Sequence, residues 1–223
     1  MLDIQVWMSA YIAAVRAAFG DRVRYIGLQG SRGRGEATED SDIDVVCILD
    51  TCSLRDLETY RAAVESLPER EKLCGFVSGA AELAAWDRGE LFQFRHDTTD
   101  WYGRLADLLP PEKEEDARRA LHQGACGLYH LCCHNFLHGR SREALAEAYK
   151  SAVFLLQAKT YLEQGIYCRR HGELEKHLAG ADLELLHTAQ ALKAGENRED
   201  LTALTGRLLA WSRDMVCFDN RKS

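Results

Sequence analysis

The sequence GSRGRGEATEDSDID, residues 30–44, constrains the fold most, because it joins a glycine-rich turn to a run of carboxylates between two apolar segments. The segments on either side, 23–28 and 42–49, are rich in β-branched and aromatic residues, which predicts two strands. A glycine-rich turn can direct several backbone N–H groups at a phosphate, and Ser31 adds a hydroxyl donor. The turn therefore predicts a phosphate site at the end of a strand.

The carboxylates after the turn predict a metal ion. Asp42 and Asp44 are two residues apart on a strand, so their side chains project to the same face. Two such carboxylates are costly unless a positive charge lies between them. Mg²⁺ prefers oxygen ligands and is often held by a pair of carboxylates and substrate phosphates. We therefore predict a site for a magnesium–nucleoside triphosphate, in which Gly30 and Ser31 hold the β- and γ-phosphates, with help from Arg32.

The rest of the first half mixes helices and strands. Apolar residues at i, i+3, i+4 and i+7 predict a helix over 4–19, and a second helix is predicted over 54–67, stopped by Pro68. The alternating sequence LFQFRH, residues 91–96, predicts a third strand.

Strand patterns end at Pro110-Pro111, and long helical patterns fill the chain from residue 112 onward. Because helices and strands mix before the prolines and only helices follow, we predict two domains. The first, 1–110, is an α+β domain with a small mixed sheet flanked by helices. The second, 111–223, is an all-α bundle.

Composition limits the classes of binding partner and the cellular compartment expected for the protein. The formal net charge of −7 arises entirely in residues 1–111, which disfavours nucleic-acid binding through bulk electrostatics. No apolar run approaches the roughly 20 residues of a membrane helix, and the amphipathic N-terminus does not read as a signal peptide. The eight cysteines form no CxxC pair, which predicts reduced thiols and a cytoplasmic protein.

The segment from Tyr25 to Asp50 resembles the signature of the DNA polymerase β superfamily of nucleotidyltransferases. A strand, Gly30-Ser31, ten residues and then Asp42-Ile43-Asp44 occur in that order. The similarity is greatest to the small bacterial branch, which includes the minimal and the antibiotic nucleotidyltransferases. The resemblance implies an in-line displacement at the α-phosphate of a nucleotide, with pyrophosphate leaving and one or two metal ions stabilising the reaction.

The resemblance also implies a third carboxylate on a later strand, which completes the metal site. We expect Asp97, at the end of the predicted third strand, to be that ligand, and Glu90 and Asp100 flank the same segment. A competing interpretation makes Asp97 the cap of a helix that begins near Thr98. Without a third carboxylate, the domain would bind a nucleotide without turning it over.

The predicted bundle resembles the HEPN-type helical domains that follow the catalytic domain in antibiotic nucleotidyltransferases. The resemblance rests on the order of the domains, the helix lengths and the segment 147–167, and it implies a domain that covers the nucleotide and contributes to the acceptor site. Glu147 and Lys150 are three residues apart and share a helical face. Lys150 is a candidate triphosphate ligand and Glu147 a candidate general base; the alternative is an exposed ion pair without a catalytic role.

Histidine and cysteine recur every four residues in the first helix of the bundle, at His122, Cys126, His130, His134 and His138. Two histidines at i and i+4 can bind zinc. The same stripe could instead line a cleft or pack against a neighbouring helix, and the sequence leaves these alternatives open.

Together these features predict a magnesium-dependent nucleotidyltransferase. It moves a nucleoside monophosphate, expected to be AMP from ATP, onto a hydroxyl of a small molecule such as an antibiotic. The charge-balanced second domain argues against a polycationic aminoglycoside. Two alternatives stay open: an antitoxin-type enzyme that adenylylates a protein, and a nucleotide sensor without turnover. We expect no stable nucleic-acid complex and no membrane association, and a homodimer is left open.

Overall fold

The computed structural model describes residues 2–218, which form two compact units. The first, here called the sheet unit, contains the chain up to Asp87 and Phe94–Pro111. The second, the helical unit, contains Arg88–Gln93 and the chain from Glu112 onward. An α+β region with a small mixed sheet is thus followed by a helical region, and the predicted fold class is confirmed.

The sheet unit contains four strands and the helices between them. In chain order the elements are α1 (Ile4–Phe19), β1 (Val23–Leu28), α2 (Gly30–Arg34), β2 (Ile43–Leu49), α3 (Leu54–Val64), β3 (Leu73–Gly79), α4 (Ala80–Ala84) and β4 (Thr99–Tyr102). The predicted first helix and first two strands are confirmed, with β2 beginning one residue later than expected. The side chain of Asp3 caps α1 by accepting from the N–H groups of Gln5 and Val6 at 2.9 and 3.2 Å.

The strands form one mixed sheet in the order β3-β2-β1-β4. β1 is antiparallel to both of its neighbours, whereas β2 and β3 are parallel and α3 connects them. Residues of α1 and the inner face of the sheet, among them Trp7, Tyr11 and Ile43, are almost fully buried and form the core of this unit. Ile43 of β2 belongs to this core. Because successive residues of a strand face opposite sides of the sheet, the side chain of Asp44 projects to the other face.

Strand β3, which the sequence pattern did not reveal, lies next to β2 in register from Ile43 opposite Leu73. Its sequence contains two glycines, which are poor strand residues. Gly75 has φ +135°, and a Cβ there would lie 1.9 Å from the backbone oxygen of Val45. The glycine is therefore required for the close approach of the two strands, and it is also what hides the strand from a pattern-based prediction.

The predicted third strand over 91–96 is wrong, since these residues lie in helix α5 (Arg88–Asp97). Six alternating residues are too few to separate a strand from a helical turn. Leu91 and Phe92 are adjacent in sequence and both almost fully buried, which a helix surrounded by partners allows and a one-sided strand does not. Asp97 is consequently the last residue of a helix and does not lie on a strand.

The helical unit is built from α-helices in the described residues from Glu112 onward. They are α6 (Glu114–His134), α7 (Arg142–Gln164), α8 (His171–Leu174), α9 (Gly180–Lys193) and α10 (Leu201–Val216), with a π-helical turn over Asn135–Gly139. Phe92 of α5 packs into the core of this unit against the rings of Tyr161 and Tyr167, with centroids 5.1 and 5.7 Å away. In residues 2–218 no helix has the length and apolar character needed to cross a membrane.

Candidate active site at the end of strand β1

The glycine-rich turn begins where β1 ends, and backbone hydrogen bonds tie it to β2. The N–H of Gln29 donates to the backbone oxygen of Asp44 at 2.8 Å, and the N–H of Gly33 donates to the backbone oxygen of Gln29 at 3.1 Å. The N–H groups of Ser31 and Arg32 belong to the first turn of α2, which precedes the first intrahelical bond. These donors, together with the Ser31 hydroxyl, are the groups that the sequence assigns to phosphate.

Gly30 is the residue around which the acidic side chains gather. Its φ is +66°, and a Cβ would lie 2.0 Å from Oδ2 of Asp44. Its N–H donates to Oδ2 of Asp97 at 3.2 Å. The missing side chain thus leaves room for the Asp44 carboxylate, while the backbone N–H fixes Asp97. The predicted role of Gly30 toward phosphate stays a prediction, since its N–H already donates to a carboxylate.

The register of the sheet explains why these distant residues meet. Leu28, the last residue of β1, pairs with Val45 of β2 on one side and with Thr99 of β4 on the other. Asp44, the residue before Val45, therefore lies on one side of the end of β1. Asp97, two residues before Thr99, lies on the other side of the same strand end. The side-chain amide of Gln29 donates to Thr98 Oγ1 at 2.7 Å and holds that segment in place.

Asp97 forms a buried ion pair that sequence reasoning missed. The Arg34 guanidinium donates through Nη1 to Oδ1 of Asp97 at 2.9 Å and through Nε to Oε2 of Glu36 at 3.2 Å. The side chains of Arg34 and Asp97 are each only 9% exposed. Burial by itself lowers the pKa of Arg34, but the charges and hydrogen bonds of Asp97 and Glu36 outweigh it and raise that pKa. Arg34 thus stays charged and forms an ion pair with Asp97.

Arg32 braces the segment that carries the paired aspartates. Its buried guanidinium donates from Nη2 to the backbone oxygen of Ser41 at 2.8 Å and from Nε to that of Asp42 at 3.1 Å. The Asp42 side chain is exposed and that of Asp44 is half-buried, while Ile43 between them is fully buried. The exposure of residues 42–44 thus alternates along the chain, and the shared metal site of the two aspartates stays a prediction. A contact from Arg32 to nucleotide stays a prediction.

The other two carboxylates considered for the third ligand have different surroundings. Asp100 accepts from the hydroxyl of Tyr25 at 2.7 Å and from the N–H of Leu105 at 3.3 Å, which joins β4 to β1 and to the following loop. Glu90 belongs to the part of α5 that lies in the helical unit. Of the three candidates, Asp97 is the one that contacts Gly30.

The position next to Asp44 on the neighbouring strand is a cysteine. Asp44 pairs with Cys74 of β3, whose side chain is exposed. Strand β3 has the sequence LCGFVSG and therefore carries neither aspartate nor glutamate. The carboxylate that the resemblance places on a later strand is thus not on β3. Because no residue pattern predicted a strand there, this position could not be assigned from the sequence.

Glu147 and Lys150 form an exposed ion pair in the helical unit. The Lys150 Nζ lies 3.3 Å from Oε2 of Glu147, and the two side chains are 70% and 72% exposed. Such pairs contribute little to stability. Their predicted roles toward triphosphate and acceptor stay predictions.

The histidine and cysteine stripe lies on the exposed side of α6 and the turn after it. The ring centroids of His130 and His134 are 6.1 Å apart, those of His134 and His138 are 5.1 Å apart, and His122 Nε2 lies 3.8 Å from Cys126 Sγ. Across residues 2–218 no three His, Cys, Asp or Glu side chains are arranged to hold a metal ion by themselves.

The chemistry of the Asp42 and Asp44 side chains fits magnesium. Asp42 and Asp44 supply hard oxygen atoms, and the glycine leaves open the space that a Cβ would fill beside Asp44. A Mg²⁺ ion held by one or two carboxylates takes its remaining ligands from phosphate and water. Asp97, by contrast, has hydrogen bonds to both carboxylate oxygens, so a role as third ligand would require one of these contacts to be exchanged.

Comparison with known proteins identifies the family and the fold of this chain. Residues 11–122, about half of the chain, match the model of a family described as "Nucleotidyltransferase domain". The structure is similar to that of the spectinomycin adenyltransferase AAD(9) from Enterococcus faecialis, determined with ATP and spectinomycin. The TM-score is 0.59 at 13% identity, over 92% of this chain and 98% of the other, a likeness that concerns the fold. No curated protein is significantly similar to this chain.

Proposed function

This chain belongs to the family of nucleotidyltransferase domains, and from that premise we propose that it transfers AMP from ATP to a hydroxyl of a small-molecule acceptor and releases pyrophosphate. The observation that carries the proposal is the convergence of Asp44 and Asp97 on Gly30 at the end of β1. Gly30 is the first residue of α2, so the two carboxylates meet beside the N–H groups of the first turn of that helix. The adenyltransferase of similar fold was determined with ATP and the antibiotic spectinomycin. This supports the proposal of ATP as the nucleotide and of a small molecule as the acceptor for this chain.

The residues of the sheet unit fit the binding of a triphosphate. The N–H groups of Ser31 and Arg32 and the Ser31 hydroxyl are suited to the β- and γ-phosphate oxygens. Asp42 and Asp44 would hold Mg²⁺, which when bound neutralises the triphosphate and the charge that develops on the leaving group. Arg32 holds the backbone at Ser41 and Asp42, and the absence of a side chain at Gly30 leaves room for the carboxylate of Asp44.

In the reaction, the acceptor oxygen attacks the α-phosphorus in line with the bond to the β-phosphate. The new P–O bond forms as the bond to the bridging oxygen breaks, and pyrophosphate leaves with that oxygen. The hydroxyl proton passes to a carboxylate, for which Glu147 is the proposed acceptor. Asp97 is proposed as the third ligand in the reacting complex, and in the structure it orients Gly30 and Arg34.

The proposal is tested by identifying the product. The protein is incubated with magnesium, each of the four NTPs in turn and a panel of hydroxylated small molecules, and the acceptors are examined by mass spectrometry. We expect one acceptor class to gain the mass of AMP with ATP. Nucleotide binding without any modified acceptor would favour a protein target or a nucleotide sensor, and modification of a co-purified protein would identify the former.

A further inference from the structure

A cavity of about 290 Å³ lies between the end of α6, the π-helical turn that follows it and helix α10. Its walls are mainly apolar and include Phe136 and Leu137 of the turn and Leu209 of α10. An apolar cavity of about 150 Å³ is large enough to bind benzene. This cavity therefore has room for a small organic molecule, and it lies within the helical unit alone.

Two features open the cavity to solvent. Leu137 is 70% exposed, and Gly206 of α10 is exposed as well. Glycine is a poor residue inside a helix, and a Cβ at Gly206 would meet nothing within 4 Å. The missing side chain thus leaves one wall of the cavity uncovered, so a small ligand can enter without displacing the helices.

The chemistry of the lining excludes a charged ligand. Of the residues in 2–218 that border the cavity, none is aspartate, glutamate, lysine, arginine or histidine. Cys132 is fully buried there, and burial raises the pKa of its thiol to about 12, so the thiol stays neutral. A charged group in this cavity would lose its hydration without gaining a partner. The ligand that fits is therefore neutral.

One polar group of the lining lacks a partner. Thr205 is 4% exposed, and its hydroxyl is buried without a hydrogen-bond partner in residues 2–218. A buried hydroxyl of this kind costs free energy, and nearly all such groups in native proteins are satisfied. Threonine has two accessible side-chain rotamers in a helix, so the hydroxyl can turn toward a group in the cavity. A ligand with one hydrogen-bonding group would supply the partner.

We propose that this cavity is a binding site for a small, neutral, largely apolar molecule that carries a single hydrogen-bonding group. The apolar body lies against Phe136, Leu137 and Leu209, and the polar group pairs with the Thr205 hydroxyl. The site uses none of the residues at the end of β1, so it goes beyond the proposed nucleotide transfer and does not depend on it.

Phenol and toluene test the polar contact, because they differ only in a hydroxyl and a methyl group. Their affinities for the full chain are measured by NMR titration of the leucine methyl groups, in the wild type and in Thr205→Val, which makes the same exchange in the protein. We expect both probes to bind the wild type. The ratio of the toluene to the phenol dissociation constant should fall at least about threefold in the variant. An unchanged ratio, or no binding of either probe, would overturn the proposal.

Filling the cavity provides the matched variant. Gly206→Leu places a side chain on the uncovered wall and should weaken the binding of both probes at least about tenfold, while leucine favours the helix more than glycine does. Ala210→Leu is the control, since this exposed residue lies one turn further along α10 and is not part of the lining. It should bind as the wild type does. Binding that Gly206→Leu leaves unchanged would place the probes elsewhere and contradict the proposal.

Stability gives an independent check on Thr205. Valine has nearly the same shape and helix propensity as threonine but no hydroxyl. In the absence of probe, Thr205→Val should therefore unfold at the same urea concentration as the wild type or at a higher one. A lower midpoint would show that the hydroxyl is already bonded within the fold, and it would reject the polar group assigned to the ligand.

Discussion

An ion pair of the sheet unit and one of the helical unit differ in how far they are exposed to solvent. In the sheet unit, Arg34 and Asp97 are paired with side chains that are each 9% exposed, and Asp97 also accepts from Gly30. In the helical unit, Lys150 and Glu147 are paired with side chains 70% and 72% exposed. A buried pair must offset a large desolvation penalty through geometry, whereas an exposed pair costs and contributes little.

The difference indicates which pair positions a site and which can be removed without structural effect. The buried pair is joined to the glycine turn, so changing it alters the place where Asp44 and the first-turn N–H groups meet. The exposed pair joins two residues of the same helix, α7. Substitutions should therefore have effects on activity and stability that decrease from Gly30, beside the buried pair, to Lys150 in the exposed pair.

After the loss of Asp44 itself, the largest effect is expected for Gly30→Ala. Its Cβ would collide with Oδ2 of Asp44, so the carboxylate must move, and a left-handed backbone costs roughly 1–2 kcal/mol in a non-glycine residue. We expect a loss of about 10²–10³-fold in kcat, comparable to removing a positioned group from an active site.

Gly165→Ala is the matched control for that change. Gly165 ends α7 at φ +72°, and a Cβ there meets nothing within 4 Å. Both variants should lose the unfolding free energy that a left-handed backbone costs, the Gly30 variant somewhat more because of its collision with Asp44, whereas only the Gly30 variant should lose activity. Equal activity of both variants would show that the contact between Gly30 and Asp44 is not needed for function.

The next effect is on stability and comes from Arg34→Met. The substitution removes the cationic partner of a carboxylate that is about nine-tenths buried. Breaking a buried pair in this way typically costs about 3 kcal/mol, which urea denaturation can measure. The double variant with Asp97→Asn should recover part of that loss, because the uncompensated charge is gone. A single variant as stable as the wild type would contradict the assignment of a buried, charged pair.

The effect of Asp97→Asn on activity separates two roles of this carboxylate. As the proposed third ligand, Asp97 is needed for the metal ion, so the variant should lose magnesium-dependent ATP binding together with most of its activity. If Asp97 only orients Gly30 and Arg34, kcat should fall by about 10–100-fold, the range found for groups that orient metal ligands, and magnesium-dependent ATP binding should survive. The second result would contradict the role of Asp97 as a metal ligand.

The smallest effect is expected for Lys150→Ala. The exposed pair with Glu147 contributes at most about 0.5 kcal/mol, so the melting temperature should not change measurably. The proposed contact with triphosphate predicts a severalfold rise in the KM for ATP. An unchanged KM would leave Lys150 as a surface residue, and a large loss of stability would contradict the contrast between the two units.

Local features of the site could be predicted from the sequence, and long-range ones could not. The glycine turn, Asp42 and Asp44 are close in sequence, so strand alternation alone predicted that the two aspartates share a face. The partner of Asp97 is Arg34, 63 residues earlier, and no local pattern connects them. Strand β3 escaped prediction because Gly75 serves the contact with β2, and α5 was mistaken for a strand because six alternating residues fit both structures.

The most direct test of the central claim is pyrophosphate release by the wild type and by Asp44→Asn, measured with magnesium, ATP and the acceptor panel. The account predicts acceptor-dependent release by the wild type and a loss of at least about 10³-fold in the variant, with the fold unchanged by circular dichroism. Full activity of Asp44→Asn would contradict the claim that the end of β1 is the site of nucleotide transfer.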